Sequence, residues 1–364
     1  MSSPGDGRNV DPSLGVLEGE GAGQETPSDR VVTDGGPPLE VWDRIPSSDG
    51  EGRDDPTYFD RPVLKRPVWK WYVPAYFAVG GAAGAAAALG AAAQLADRRE
   101  FDGLIRRCRW VAATGGAVGT VLLIVDLGKP GRFLNMLRVV RPSSPMNLGS
   151  WVLATVAPAA AGSAVLSRPG GITGFAGDLS GLVSGTAGLP LAGYTAVLVA
   201  NTAVPIWQSA RRTAPPLFVA SAMSAAASLL QLMKLTDREE RIVRRFAVMG
   251  AVADLASELA MEREGGRVER VAKPLHEGRS GALLAASKAL TAGSLVLNLA
   301  PGRRRWKRVL AGILGALGAV AVKFGIMEAG KASAADPRAT FHQQRAGLGG
   351  AEATGRPAVA APPH

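Results

Sequence analysis

The chain has 364 residues, of which 47% are hydrophobic and 5% aromatic, and it carries a formal net charge of +10. Its single cysteine, Cys108, excludes a disulfide framework, a cysteine-cluster zinc site and an iron–sulfur motif. The three histidines lie outside the apolar blocks, which excludes a haem held by two histidines between membrane helices. They are His276, His342 and His364.

The charge is unevenly distributed. Residues 1–60 hold fourteen Asp or Glu against four Lys or Arg, so the basic residues are concentrated in the rest of the chain. They lie mostly between apolar blocks, which is typical of membrane topology signals rather than of nucleic-acid binding. Residues 1–66 are rich in Gly, Pro, Ser and acids without apolar periodicity, and this composition predicts a disordered acidic N-terminal tail.

The apolar residues form blocks of about twenty with few charges, the length that crosses hydrocarbon as a helix. The blocks are apolar around the whole helix, which argues against a water-soluble bundle. The sequence therefore predicts an all-α integral membrane protein with eight transmembrane helices in a polytopic bundle. This domain covers residues 67–330, and a disordered C-terminal tail follows at 331–364.

In chain order, the eight predicted helices are about 69–96, 108–126, 147–167, 189–209, 214–234, 243–261, 282–300 and 307–327. The Gly-rich stretch 168–188 is interpreted as a loop or a half-buried re-entrant turn. With eight spans both chain ends lie on one side of the membrane, which we call the terminal face; the other side is the opposite face. The loop charges nearly balance and do not fix the orientation.

Polar side chains within apolar segments are costly to bury and therefore mark candidate sites. From the predicted helix directions, these side chains are all expected towards the terminal face, in one polar pocket. They are Tyr72, Tyr76, Asp126, Asn201, Glu258, Lys288 and Lys323. Asp254, one turn before Glu258, is expected near the membrane surface. No comparable set is expected within the helices at the opposite face.

A polar sequence of unusual composition follows the second predicted helix. It reads Asp-Leu-Gly-Lys-Pro-Gly-Arg-Phe over residues 126–133 and continues through Asn135-Met-Leu-Arg138 to Pro-Ser-Ser-Pro-Met at 142–146. This segment resembles the DLGRP-x-RF loop of the NrfD/PsrC family, the polytopic membrane subunits of quinone-linked respiratory oxidoreductases. Lys129 stands where that loop usually has Arg, which keeps the charge but loses bidentate geometry.

The resemblance extends over most of residues 69–340 and also rests on Trp71-Tyr72, on Tyr194 to Trp207 and on Phe324 to Pro337. It implies a multi-pass subunit of a bacterial cytoplasmic (inner) membrane complex of the polysulfide, nitrite or formate reductase type. An iron–sulfur electron-transfer subunit would dock beside the quinone site, with a molybdopterin or multihaem catalytic subunit beyond it. The cofactor would be menaquinone or ubiquinone, and no haem, iron–sulfur cluster or metal is expected in this chain.

A quinone head group needs hydrogen-bond partners for its two oxygens and a group that exchanges protons. We predict Asp126 as the proton-handling group, Arg132 as the residue that orients it and Glu258 as a proton exit route. Candidate residues for binding the quinone are Tyr72, Tyr76, Lys129, Asn135 and Asn201.

Other interpretations of the same residues stay open. Asp126 could simply pair with Arg132, the tyrosines could be interfacial anchors, and Lys288 and Lys323 could extend to the interface. The protein could be a structural membrane anchor without its own quinone site. It could also be a proton-translocating or transport protein, which needs a polar path across the membrane; Tyr194 and Thr195 are the only hints of one.

Overall fold

A computed structural model of the protein describes residues 10–11, 16–17, 64–129, 131–167, 170–302, 304–337 and 339–340. The chain divides into two compact units, Met1–Arg61 and Pro62–His364. In the first unit, two short strands pair in antiparallel fashion, β1 (Val10–Asp11) and β2 (Val16–Leu17). The acidic tail predicted for residues 1–66 otherwise falls almost entirely outside the described residues and stays a prediction.

The described part of the second unit is helical, and eight of its helices have at least 18 residues. They are α1 (Tyr72–Asp97), α2 (Asp102–Leu127), α4 (Pro145–Val165), α5 (Gly171–Ala200), α7 (Ala214–Gln231), α8 (Asp237–Gly265), α10 (Gly278–Leu299) and α11 (Arg305–Ala335). Three shorter helices connect them: α3 (Gly131–Asn135), α6 (Pro205–Ser209) and α9 (Glu269–His276). The prediction of a helical membrane architecture is confirmed.

Seven of the long helices in the described chain are long and apolar enough to cross a membrane. The other one, α8, corresponds to the predicted sixth span and is more polar. Its 29 residues would extend about 44 Å, more than the thickness of the hydrocarbon layer. It begins with a capping box, in which Thr236 and Glu239 each bond the other's backbone N–H. Membrane spanning by α8 stays a prediction.

The long helices pack as two groups of four. In the first group, α1 and α4 each pack against both α2 and α5. In the second group, α7 and α10 each pack against both α8 and α11. Contacts of α1 with α7 and α11, and of α5 with α7, join the two groups. Because consecutive long helices alternate in direction, the N-terminus of α1 and the C-terminus of α11 lie at the terminal face.

Small residues hold the first group together. A Cβ atom added at Gly84 of α1 would overlap the backbone oxygen of Gly188 in α5, and one added at Gly188 would overlap the backbone oxygen of Gly84. The two backbones are therefore in direct contact, which is how closely packed membrane helices gain dispersion energy. Buried alanines continue the seam, among them Ala83, Ala86 and Ala112.

The prediction of a loop or re-entrant turn over residues 168–188 is wrong. The turn is short, with positive φ at Gly170 and Gly171, and α5 then continues as one helix of 30 residues. Glycine weakens a helix in water, but Gly177, Gly181 and Gly185 recur every four residues and lie against neighbouring helices. The predicted helix 189–209 is correspondingly wrong, because α5 ends at Ala200 and a separate short helix follows.

Candidate functional site

The contact between α1 and α2 places two predicted site residues at one depth. Gly119 of α2 lies against the ring of Tyr76 of α1, where an added Cβ atom would be 3.3 Å from Cδ2. The two helices run in opposite directions. The same added Cβ atom would lie 3.9 Å from Cα of Gly80. Two turns onward along α2 from Gly119 therefore correspond to two turns back along α1 from Gly80, which places Asp126 at the depth of Tyr72.

The contact between α1 and α5 brings a third residue to the same depth. The hydroxyl groups of Tyr76 and Tyr194 are hydrogen-bonded, which fixes the register of these helices. Asn201 directly follows the last residue of α5 and lies two turns beyond Tyr194, towards the terminal face. Tyr72, Asp126 and Asn201 thus come from three helices to the terminal-face end of the first group. We call this set the terminal-face site.

Tyr76 lies deeper than an interfacial anchor would. Its side chain is buried, and its hydroxyl group meets that of Tyr194 between α1 and α5. Gly149 of α4 leaves room for the Tyr194 ring, because a Cβ atom there would overlap the ring. The sequence marked Tyr194 only as a weak hint of a polar path. Its pairing with Tyr76 depends on helix register, which sequence spacing does not reveal.

Asp126 is half-buried at the end of α2. Among the described residues, no hydrogen bond or ion pair joins its carboxylate to Lys129 or Arg132, and both of these side chains are exposed. The structure therefore does not bring Arg132 onto Asp126 in the way the sequence predicted. The carboxylate of Asp126 is available to a ligand.

The segment that connects α2 to α4, residues 128–144, is held in place by Asn147. The side-chain amide of Asn147 donates to the backbone oxygens of Met136 (2.9 Å) and Val139 (2.8 Å). Its oxygen accepts from the backbone N–H of Arg141 at 2.6 Å. Sequence reasoning missed Asn147, although it directly follows the Pro-Met pair of the family-like motif. Asn135, a predicted quinone ligand, is exposed on this segment.

The connecting segment presents a basic and apolar surface at the terminal face. Val139 and Val140 are 62% and 65% exposed, and Met146 at the start of α4 is 57% exposed. The exposed basic side chains around them are Lys129, Arg132, Arg138 and Arg141. Such a combination of positive charge and apolar side chains is suited to contact with another protein.

A second polar site lies inside the second group. Asp254 and Glu258 of α8 and Lys323 of α11 are all buried. The Lys323 ammonium lies 3.4 Å from the centre of the Phe218 ring, and its Nζ donates to the Phe218 carbonyl at 3.4 Å. The carboxylate of Glu258 accepts a hydrogen bond of 2.8 Å from Ser287. We call Asp254, Glu258 and Lys323 the buried charge cluster.

These positions correct one prediction and exclude one alternative interpretation. Asp254 is expected from the sequence near the membrane surface, but it is fully buried in the second group. The alternative that Lys323 extends to the interface is excluded, because its charge points into the protein. Lys288 does lie towards the terminal face, where it forms an ion pair with the partly exposed Glu262. Depth and direction depend on helix rotation, which an all-round apolar sequence does not specify.

Aromatic rings lie between the terminal-face site and the buried charge cluster. The ring of Tyr76 lies 6.0 Å from that of Phe77, and the ring of Phe77 lies 5.9 Å from that of Phe218. Phe218 in turn covers the ammonium of Lys323. Among the described residues no contact joins Glu258 to Asp126, and the prediction of one shared pocket stays a prediction.

A third polar cluster lies near the opposite face of the first group, where none was expected. Arg109 of α2 is buried and forms an ion pair of 2.8 Å with Asp178 of α5. Arg98 contacts the same carboxylate at 2.6 Å, and Gln94 accepts from Arg109 at 2.8 Å. The prediction failed because Asp178 had been assigned to a loop, whereas it lies inside α5.

The fold and its buried polar groups define a polytopic helical membrane protein. Residues 62–169 match the family described as Polysulphide reductase, NrfD. This match confirms the NrfD/PsrC-like character of the segment that contains α1, α2, α3 and α4. A search among curated proteins found no match.

Proposed function

We propose that this protein is the membrane subunit of a respiratory oxidoreductase complex, which binds quinone or quinol at the terminal-face site. The observation that supports this function best is the placement of Tyr72, Asp126 and Asn201 at one depth, at the same end of three helices of the first group. Two of these three residues lie in the segment that matches the NrfD family. An iron–sulfur partner would exchange electrons with the bound quinone, and a molybdopterin or multihaem subunit would complete the reaction.

The side chains of the site suit a quinol head group. Oxidation of a quinol releases two electrons and two protons, so each hydroxyl oxygen needs a hydrogen-bond partner and a proton acceptor. The carboxylate of Asp126, which none of the described residues pairs, can accept the two protons in turn, releasing each to water at the terminal face before it takes up the next. The phenol of Tyr72 and the amide of Asn201 can donate hydrogen bonds to the oxidised carbonyls. The electrons leave to the iron–sulfur partner, since this chain contributes only hydrogen-bonding and proton-exchanging groups to the site.

The surface of α2 supports access from the lipid. Val118, Val121 and Val125 are all about half exposed along the helix that ends at Asp126. A membrane places such residues against hydrocarbon, where an isoprenoid tail of menaquinone or ubiquinone stays while the head group reaches the site. The exposed bases of the connecting segment favour an acidic surface on the docking subunit. We assign the protein to the bacterial cytoplasmic membrane on the strength of this function.

The test is quinol binding to the purified membrane protein, followed by quenching of a fluorescent quinol analogue. Asp126→Asn should weaken binding about tenfold, because a hydrogen bond to a charged group contributes about 1.5–3 kcal/mol. The matched control is Asp102→Asn, which changes an exposed carboxylate at the opposite end of α2 and should leave binding unchanged. Undiminished binding in Asp126→Asn would remove this carboxylate from the site. Absence of saturable binding in folded wild-type protein would support the structural-anchor alternative instead.

A further inference from the structure

The second group has a polar interior that the proposed quinone site does not use. On α10, four polar residues follow one helix face at spacings of four, three and four. They are Ser287, Thr291, Ser294 and Asn298, and all of them are buried. This α10 polar stripe covers about 17 Å along the helix, more than half of the hydrocarbon thickness. Sequence reasoning missed it, although the regular spacing was visible.

The buried charge cluster lies beside one end of the stripe and has an unbalanced charge. It contains two acids, Asp254 and Glu258, but one base, Lys323. Lys288 does not supply the missing charge, because it is paired with Glu262. Of the other packed helices, α7 contains no charged residue, and the second charged residue of α10, Arg279, is exposed. A net charge within hydrocarbon is costly, so the cluster favours one extra proton shared by its two carboxyl groups.

The described residues satisfy the polar atoms of this region only sparsely. The Thr291 hydroxyl contacts the Asp254 carboxylate, and beyond this contact no described residue bonds the carboxylate oxygens of Asp254 or Oε2 of Glu258. An unsatisfied buried polar atom is destabilising, so a cluster of such atoms is not expected from packing alone. Water molecules or exchanging protons provide the partners that these oxygens need.

The α10 polar stripe runs from the buried charge cluster towards the opposite face. Along this course it packs against two glycines of α11. The Ser287 hydroxyl lies within hydrogen-bond distance of two acceptors, Glu258 at 2.8 Å and the carbonyl of Gly318 at 3.0 Å, and donates to one of them at a time. A Cβ atom at Gly318 would lie 2.6 Å from the Thr291 hydroxyl. One turn further, a Cβ atom at Gly315 would lie 3.0 Å from the Ser294 hydroxyl. The glycines thus let the backbone of α11 lie directly against the hydroxyl groups, and a methyl group at either position would displace them.

The stripe ends at a small cavity near the opposite face. The side-chain oxygen of Asn298 accepts a hydrogen bond of 2.5 Å from the side-chain amide of Gln231, the last residue of α7. Both residues line a cavity of about 20 Å³, together with the ion pair of Arg308 and Glu240. This volume is enough for one water molecule. Water can therefore reach, from the opposite face, the end of the α10 polar stripe at Asn298.

The path to the terminal face is shorter. Glu262 lies one turn beyond Glu258 on α8, so the two carboxylates occupy the same side of the helix. Glu262 is partly exposed, with 18% of its side chain accessible, and it forms an ion pair with Lys288. The line from Asp254 through Glu258 to Glu262 thus leads from the buried cluster to the surface.

We propose that the second group is a proton path across the membrane, in which the buried charge cluster holds the transferred proton. A proton arriving along the α10 polar stripe binds the carboxylate of Asp254, and its O–H bond then breaks as the proton passes to Glu258. From Glu258 the proton moves to Glu262 and to water at the terminal face. The Lys323 ammonium stabilises whichever carboxylate is left ionised. Each step transfers one proton and needs no electrons.

The test is proton flux into vesicles that contain the full-length protein, reported by an enclosed pH-sensitive dye. A potassium gradient with valinomycin drives the flux. Wild-type protein should exceed protein-free vesicles at least tenfold, and Asp254→Asn and Glu258→Gln should return the flux to the protein-free level. The control is Glu277→Gln, an exposed carboxylate at the start of α10 that should keep wild-type flux. Thermal unfolding of each variant reports whether it is folded.

A second variant leaves the charges intact. Gly315→Ala places a methyl group against the hydroxyls of Ser228 and Ser294, two turns from Lys323, and should reduce the flux several-fold. Wild-type flux equal to that of protein-free vesicles would overturn the proposal. Folded Asp254→Asn or Gly315→Ala protein that conducts like wild type would also overturn it. Quinol-analogue binding is measured separately on the same variants and should be unchanged, so failure here is distinct from failure of the quinone site.

Discussion

The two four-helix groups share an arrangement of helices but have different interiors. The seam of the first group is made largely of alanine and glycine, as where Gly84 meets Gly188, and the charged residues of this group lie towards its ends. The second group is polar through its middle, from Glu258 along α10 to Asn298. The same helix packing can therefore enclose a dry contact or a polar path, depending on the side chains along one face of each helix.

The two kinds of interior suit two different roles. A dry seam fixes the register of α1, α2 and α5 and so places Tyr72, Asp126 and Asn201 at one depth. A polar interior costs stability but lets protons and water enter. The aromatic rings of Phe77 and Phe218 stand between the two.

The largest expected effect comes from breaking the dry seam. Gly84→Val puts a branched side chain where the backbone of Gly188 lies, and because neither backbone can yield without separating the helices, we expect a loss of about 3 kcal/mol or more. Thermal unfolding in detergent measures this loss of stability. Ala92→Val, at an exposed position of the same helix, is the control and should change stability little. Equal stability of both variants would contradict the close contact.

The next effect concerns the buried charge cluster. Lys323→Met leaves two buried carboxyl groups without their base and should destabilise the protein by about 3 kcal/mol. Adding Asp254→Asn to Lys323→Met should restore at least about 1 kcal/mol, because the uncompensated charge is then removed. The free energy of unfolding of the two single variants and the double variant gives the coupling. Purely additive losses would show that these two side chains act independently.

A smaller effect is expected at the opposite face of the first group. Asp178→Asn keeps the shape of the side chain but removes the charge that pairs with Arg109 and Arg98. The buried guanidinium of Arg109 keeps its bonds to Gln94 and Ser167, so we expect a loss of about 2 kcal/mol. The free energy of unfolding of wild type and variant, measured at low and at high salt, tests this expected loss. An unchanged stability would mean that the ion pair only offsets its own desolvation.

The smallest effect is expected for the tyrosine pair. Tyr194→Phe removes one hydroxyl from the bond with Tyr76 but keeps the ring that fills the space beside Gly149. The expected loss is about 1 kcal/mol, the usual net contribution of one hydrogen bond. Tyr194→Ala, which also empties the space, should cost about 3 kcal/mol or more. Similar losses in both variants would mean that the hydroxyl contact, rather than the ring, holds α1 to α5.

Sequence reasoning predicted the helical membrane architecture because blocks of about twenty apolar residues permit little else in a membrane. It also placed Tyr72, Asp126 and Asn201 at the same face, since this needs only the direction of each helix. It failed at α5, because glycine spacing was judged by its effect in water rather than in a packed membrane helix. It also failed for Asp254, whose depth depends on helix register and rotation.

The most direct test of the proposed function compares the two groups in one binding measurement. Quenching of the fluorescent quinol analogue is titrated on wild type, Asp126→Asn and Asp254→Asn, with folding of each checked by thermal unfolding. We expect binding about tenfold weaker in Asp126→Asn and unchanged in Asp254→Asn. Weakened binding in Asp254→Asn with wild-type binding in Asp126→Asn would place the quinone in the second group and contradict the account.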